Sequence, residues 1–429
     1  MHEYRYSEWK TCPLRVENIA VHSVKAATDA AQLLADTRGI KCTISADIAQ
    51  IPFSFASLEN LKVGKRSSEP WNELSGFFKA ADGWVRLHGN YPHHTKAIRD
   101  SYQFENKKEL IELFSSLPKI EIEKTIVRHG GVASAVREID QWNQLPQAIA
   151  MKNAPWVESD LESRLSHNFH KSNPVLPAEG IKVLDLTRVV AGPTCSQLLA
   201  CLGAEVLRID PPFLPELKEQ FISNGMGKKS AVIDFSRDMN LVHELISQAD
   251  VIIIGYSPGS LDKFGLGIQQ LRDDYPGLLI ASLSAWGESG PWATRAGFDS
   301  IVQAATGISE MCSVINSVGE RVPGALPVQA LDHSTGFILA ARILESLAYL
   351  KSGIIRTSLV GAAQELTNHE NKGFHEGEND VVTTHHKLSI VDSTYGRLSI
   401  PSIPVTIDGD HLIGKVQNYG SHVATWFVE

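Results

Sequence analysis

Between residues 182 and 285, short apolar runs alternate with longer amphipathic stretches. KVLDLT (182–187) reads as a buried strand, RVVAGPT as a turn, CSQLLACLGA (195–204) as an amphipathic helix and EVLRID (205–210) as the next strand. VIIIG (251–255) and LLIASLSA (278–285) are two further buried strands. Pro193 suits a first helical turn and Gly203 a helix end. Strands alternating with helices at this spacing predict βαβ units and a parallel sheet. Ligands of such sheets sit at the carboxyl ends of the strands, which singles out the turns RVVAGPT, GYSPGS and SAWGESGP. Further on, in VQALDHSTGFILAARILESLAYL (328–350), Phe337, Ile338, Ala341, Leu344 and Leu347 recur at helical spacing. That helix opens near Asp332. Aspartate is a common N-cap residue and suits the helix dipole, so Asp332 is either the cap or a chemical group held at the helix mouth.

The rest of the chain divides around this segment. In residues 1–165, ATDAAQLLADT (27–37) and KKELIELFSSL (107–117) carry helical spacing, and GWVRLHG (83–89) alternates like a strand. SHNFHKSNPVLPAEG (166–180) is polar, proline-bearing and aperiodic, and reads as a linker. Residues 181–362 form the sheet unit. From about 363 the chain becomes a polar loop, followed to 429 by short β-like runs.

A chain of 429 residues with 43% apolar positions predicts about two or three globular domains. The net charge of −9 gives no reason to expect nucleic acid or an anionic membrane as a partner. No apolar run reaches membrane-spanning length and the first residues lack the apolar centre of a signal peptide, so the expected location is the cytoplasm. The five cysteines are scattered and lack metal spacing, which fits a reducing compartment. GxGxxG, Walker A, HExxH, paired CxxC and GxSxG sequences are all absent. His93-His94 and His385-His386 are neighbours whose side chains point apart, a poor arrangement for one metal. Gly192-Pro193 and Ser257-Pro258-Gly259 would each aim backbone N–H groups into one crevice, with Lys263, Lys228, Lys229 and Arg208 close in sequence order.

Taken together, four of these pieces resemble family III CoA-transferases, the group of formyl-CoA transferase, carnitine CoA-transferase and α-methylacyl-CoA racemase. They are GIKVLDLTRVVAGPTCSQLLACLGAEVLRIDPP, GKKSAVIDF (227–235), ADVIIIGYSPGSLDKFGLG and ASLSAWGESGPWATRAGFDSIVQAATGI, in family order over about 180 residues. The resemblance implies an α/β fold with a Rossmann-like parallel-sheet large domain and a smaller α+β domain. It implies coenzyme A or acyl-CoA as substrate, no permanently bound cofactor, no metal, and a homodimer. Coenzyme A would lie against Val190, Ala191, Arg208, Lys228, Tyr256, Ser257, Pro258, Gly259, Lys263, Phe264 and Ser284. In PVQALDHSTG, Asp332 matches the family nucleophile, which passes through an aspartyl-CoA thioester while CoA moves from an acyl-CoA to a free carboxylic acid. With a reference pKa of about 3.9, such an acid is expected to be ionised at neutral pH without an activating base.

Some positions depart from the family pattern. Val190 and Gly255 replace a Gln and an Asn, and Pro211-Pro212 replaces a basic residue after the second strand. The racemase branch carries a proton-exchanging His where this chain has Phe298, in Gly297-Phe298-Asp299, which favours transfer over α-proton exchange through Asp332 or Asp299. His333, beside Asp332, is expected to face elsewhere. A non-catalytic CoA-binding protein is the third reading. AADGWVRLHG and TIVRHGGVASAVREIDQWNQLPQAIA look like small-domain sequence placed N-terminally, so the expected arrangement is permuted or duplicated.

Overall fold

The computed structural model describes residues 4–69, 71–163, 173–368 and 380–426. Its centre is a seven-stranded sheet of β1 (Val157–Ser163), β2 (Lys182–Leu186), β3 (Glu205–Asp210), β4 (Lys229–Val232), β5 (Val251–Ile254), β6 (Leu279–Ser284) and β7 (Lys351–Ser358). The order across the sheet is β4-β3-β2-β5-β6-β7-β1. All neighbours are parallel except β1, which runs antiparallel along β7. Strand order reverses between β2 and β5, where Val183 pairs Val251 and Leu186 pairs Ile254. A crevice opens at the carboxyl ends of the strands at such a switch point.

The inner strands form because they are apolar on both faces, as in the Val-Ile-Ile-Ile of β5, every residue of which is buried. One face is covered by α1 (Val16–Thr37), α2 (Ala191–Cys201) and α4 (Ala330–Ala348), with α3 (Asp299–Ala305) beside them. A second cluster, with Leu186, Ile252, Val242 and Trp426, fills the other face.

A smaller α+β unit has its own core of Leu74, Phe78, Val85, Ile98, Phe114 and Ile122. It contains the antiparallel strands Gly76–Ala80, Gly83–Leu87 and Ala133–Ala135 and the helices Pro92–Tyr102, Lys107–Phe114 and Lys119–Arg128.

The expected boundary at 165 does not separate two bodies. Helix α1 packs along α4, and β1 closes the edge of the large sheet. Strand β1 is polar (VESDLES) and lacks apolar alternation because it lies at an edge, where charged residues are tolerated. The boundary at 362 falls inside the helix Leu359–Thr367. Beyond it, Gly396–Pro401 pairs Lys62–Val63, and Val405–Ile407 pairs Ile44–Ala46, so the two ends of the chain share their sheets. Of the expected linker 166–180, residues 166–172 lie outside the described residues, as does the 369–379 part of the polar loop. The segment 173–180 is anchored rather than free. Arg38 donates to the carbonyls of Pro177 (2.7 Å) and Glu179 (2.8 Å), and the N–H of the buried Ala178 donates to Leu202 O (2.9 Å).

Candidate active site

An open cleft of about 210 Å³ lies at the switch point. The turn after β2 contributes Arg188, Val189 and Ala191, and the turn after β5 contributes Gly255, Tyr256, Ser257 and Pro258. From β6 and its turn come Leu283, Ser284 and Ala285; Arg295, Gly297, Phe298 and Asp332 complete that wall. Tyr91, His93 and His94 close the cleft from the small unit.

Asp332 does not cap its helix. Helix α4 begins at Ala330, and the N-cap position belongs to Gln329, whose side chain makes no capping bond. Asp332 is the third helical residue, 5% exposed, and lines the cleft. The first turn is satisfied from another element. Asp299, at the start of α3, accepts the Asp332 N–H on Oδ2 at 3.1 Å, and the Leu331 N–H also donates to it. Its Oδ1 accepts from Gln303 Nε2, while Gln303 Oε1 takes the Leu326 N–H at 2.9 Å. A helix start buried without a side-chain cap needs such partners.

Helix α4 reaches the cleft because Gly336 lets it cross α2 closely. A Cβ there would collide with Ala191 O and lie 2.8 Å from Thr194 Cβ. Gly192 is likewise pressed against Thr187. Gly255, which stands where the family pattern has Asn, would bring a Cβ 3.2 Å from the same Thr187. His333 turns away from the cleft: Nδ1 lies 3.1 Å from Thr194 Oγ1, and its ring lies 5.0 Å from that of Phe55.

The turn after β2 is strained. Val189 has φ +70°, a region that β-branched residues rarely occupy. Its N–H donates to Glu216 Oε2 at 2.9 Å. Glu216 also accepts from Tyr91 OH at 2.5 Å and from Arg208 Nη2 at 2.8 Å. Burial opposes ionisation of Glu216, but Arg208 and Arg188 outweigh it and lower its pKa. Strain of this kind persists only where surrounding bonds hold it.

The structure brings together Ala191, Tyr256, Ser257, Pro258, Ser284 and Asp332 of the expected positions. Val190 is buried one residue from the lining. Gly259, Lys263 and Phe264 follow beyond the cleft, with Lys263 exposed and its ammonium 4.9 Å from the Phe264 ring centre. Arg208 and Lys228 are corrections. Arg208 is spent on Asp210 (2.8 and 2.9 Å) and Glu216, and is 1% exposed. Lys228, also 1% exposed, bonds Ser196 Oγ (2.6 Å) and Pro193 O (2.9 Å) with Asp185 at 3.5 Å, and burial lowers its pKa to about 8. Neither faces the cleft, because each neutralises acids buried beneath the sheet's turns. Lys229, also offered as an anion ligand, pairs with Glu205 at 3.8 Å.

The expectation that Asp332 is freely ionised also changes. Desolvation, and then the Asp299 charge, hold its pKa well above the ordinary value, and burial raises Asp299 to about 6. Arg188, Val189, Arg295, Tyr91 and the two histidines were missed. Arg188 and Val189 lie inside a turn already singled out. Tyr91, His93 and His94 lie on the small unit, some 240 residues from Asp332 in sequence, and no local pattern links them to it. Phe298 stacks on His88 with centroids 3.9 Å apart, fixing the small unit against the wall. Among the described residues, no group of three or more His, Cys, Asp and Glu could hold a metal, and no helix is long and apolar enough to cross a membrane.

Residues 178–380 match the family described as CoA-transferase family III. A probable fatty acyl-CoA transferase of Mycobacterium tuberculosis, Rv3272, is 34% identical over 193 residues, 42% of this chain and 48% of that protein. The human succinyl-CoA:glutarate CoA-transferase is 31% identical over 189 residues, 41% of this chain and 42% of that protein. A crystal structure of Rv3272 aligns with 32% identity and a TM-score of 0.42, covering 46% of this chain and 58% of that one. The chain thus spans about half the length of the curated relatives it matches.

Proposed function

We propose that this chain moves CoA between an acyl-CoA and a free carboxylic acid, with Asp332 as the nucleophile. The observation that carries this reading is the position of Asp332 in the wall of the cleft that the turns after β2, β5 and β6 also line. An Asp332 carboxylate oxygen attacks the thioester carbonyl, forming a mixed anhydride and expelling CoA thiolate. The thiolate then attacks the Asp332 carbonyl of that anhydride, releasing the donor acid and leaving an aspartyl-CoA thioester. The acceptor carboxylate reverses the sequence: it forms a second anhydride, and the thiolate attacks the acceptor's carbonyl. This yields the new acyl-CoA and restores the Asp332 carboxylate.

In this reading the CoA arm enters beside Ala191 and Ser257-Pro258 and runs outward along Gly259, Lys263 and Phe264. Arg188 and Arg295 line the cleft but are engaged elsewhere, Arg295 with Glu123 at 2.7 Å and Arg188 with Pro215 O at 2.9 Å and Glu216 at 4.0 Å. Phe298 offers no proton to exchange, which weighs against racemisation. Reduced transfer to no turnover at all would fit a non-catalytic CoA binder instead. The shared sheets of the two chain ends and the small unit upstream of the large sheet favour a permuted arrangement of the family's parts. A homodimer in the cytoplasm completes the proposal.

The test is to incubate the protein with a panel of acyl-CoAs and short carboxylic acids and detect new acyl-CoAs by mass spectrometry. Transfer that disappears in Asp332→Ala supports the reading, and undiminished transfer in that variant overturns it. Deuterium uptake at the α-carbon without an acceptor would favour the racemase alternative.

A further inference from the structure

We infer that Asp299 is a positioning residue for Asp332: it caps the nucleophile's helix from a separate element and sets the charge state in which the nucleophile rests. The inference rests on the reading of Asp332 as nucleophile. It begins with a helix that has no cap of its own, since the Gln329 side chain makes no bond to the first turn of α4. Asp299 supplies it, accepting the Asp332 N–H at 3.1 Å and the Leu331 N–H as well. A carboxylate there also complements the helix dipole.

Asp299 is itself fixed. It is 2% exposed, and Gln303 bonds its other oxygen while tying in the backbone of Leu326, just before α4. Arg86, from the small unit, acts on Asp299 through its charge and donates to the hydroxyl of the next residue, Ser300, at 3.2 Å. Both Asp299 oxygens are thus engaged, and Asp299 does not line the main cleft. That occupation leaves it poorly placed for exchanging protons with a substrate, the role the racemase alternative would give it.

The same contact brings the Asp299 charge close enough to act on the buried Asp332 carboxyl, so that the two groups titrate as a pair. The charged and titratable groups facing them are few. Arg86 acts on Asp299, and Arg188 and Arg295 stand in the cleft wall. His93, His94, His88 and His333 are depressed by burial, His94 and His333 to about 3, so they carry no charge at neutral pH. A negative Asp299 therefore disfavours a negative Asp332.

Asp299→Asn keeps an oxygen for the Asp332 N–H but removes the charge, whereas Asp299→Ala removes both. In the transfer assay, Asp299→Asn is expected to keep at least about a tenth of kcat and to move the acid limb of kcat/KM down by about one pH unit. Asp299→Ala should lose about a hundredfold in kcat with KM for acyl-CoA changed less than about threefold. Full activity in Asp299→Ala, or an unmoved acid limb in Asp299→Asn, overturns the inference. A second arm needs no turnover: thermal unfolding against pH for the wild type, Asp299→Asn, Asp332→Asn and the double variant. Non-additive shifts support coupling, and additive shifts at every pH overturn it. Absence of transfer by the wild type rejects the functional reading, while this second arm still decides the pairing.

Discussion

The Asp332 N–H donates to the Asp299 carboxylate at 3.1 Å, so a second buried acid caps the helix start that carries Asp332. Both have raised pKa values, Asp299 at about 6 and Asp332 well above its ordinary value, each chiefly through desolvation. If Asp332 is the nucleophile, as proposed, it must be ionised, so transfer is expected to rise with pH across the titration of the pair. Measuring kcat/KM between pH 5 and 8.5 checks this, and a flat profile would contradict it.

The same shifts make a prediction about stability. A carboxyl whose folded pKa is raised keeps its proton where the unfolded chain, at about 3.9, has lost it. Its contribution to stability is complete below about pH 4 and is lost as pH rises through about 6 and beyond. Asp332→Asn removes one ionising group. Its melting temperature should exceed that of the wild type at pH 8 and match it at pH 4. Equal differences at both pH values would show that the carboxyl is not held out of water.

Gly336→Ala should disturb the crossing of α4 over α2, because its Cβ would meet Ala191 O and Thr194 Cβ. Overpacking of this kind costs about 1–3 kcal/mol. The nearest backbone is the cleft-lining Ala191, so activity should fall at least about tenfold in protein that remains folded. Circular dichroism melts and kcat/KM on the same sample separate the two effects.

Glu216→Ala should leave Arg208 buried and short of a partner, and should release the strained Val189 turn and the Tyr91 hydroxyl. Breaking a buried pair from one side costs about 3–5 kcal/mol. Chemical denaturation measures the loss. A loss under about 1 kcal/mol would mean that the network does not hold the turn.

His333→Ala gives a contrast within one helical turn. The imidazole meets Thr194 and Phe55 rather than the cleft, so transfer should stay within a few-fold of the wild type. Loss of activity as complete as in Asp332→Ala would place His333 in the chemistry.

The sheet was legible because its inner strands are apolar on both faces; EVLRID matches β3 residue for residue. Strand β1 was not, since an edge strand of VESDLES has neither alternation nor an apolar run. The glycines and prolines of the three turns located the cleft. Charge alone misled at Arg208 and Lys228, because sequence shows a cation but not the buried acid that claims it. The Asp332 cap reading failed for a related reason. Asp299 acts across 33 residues, and the helix start lay two residues upstream of the acid.

The most direct test of Asp332 as nucleophile is to trap the proposed aspartyl intermediate. The protein is incubated with an acyl-CoA and no acceptor, treated with hydroxylamine and digested, and its peptides are read by mass spectrometry. A hydroxamate is expected on Asp332, and none in protein kept from acyl-CoA. Transfer activity with Asp332 unmodified, or with the label on another carboxyl group, would contradict it.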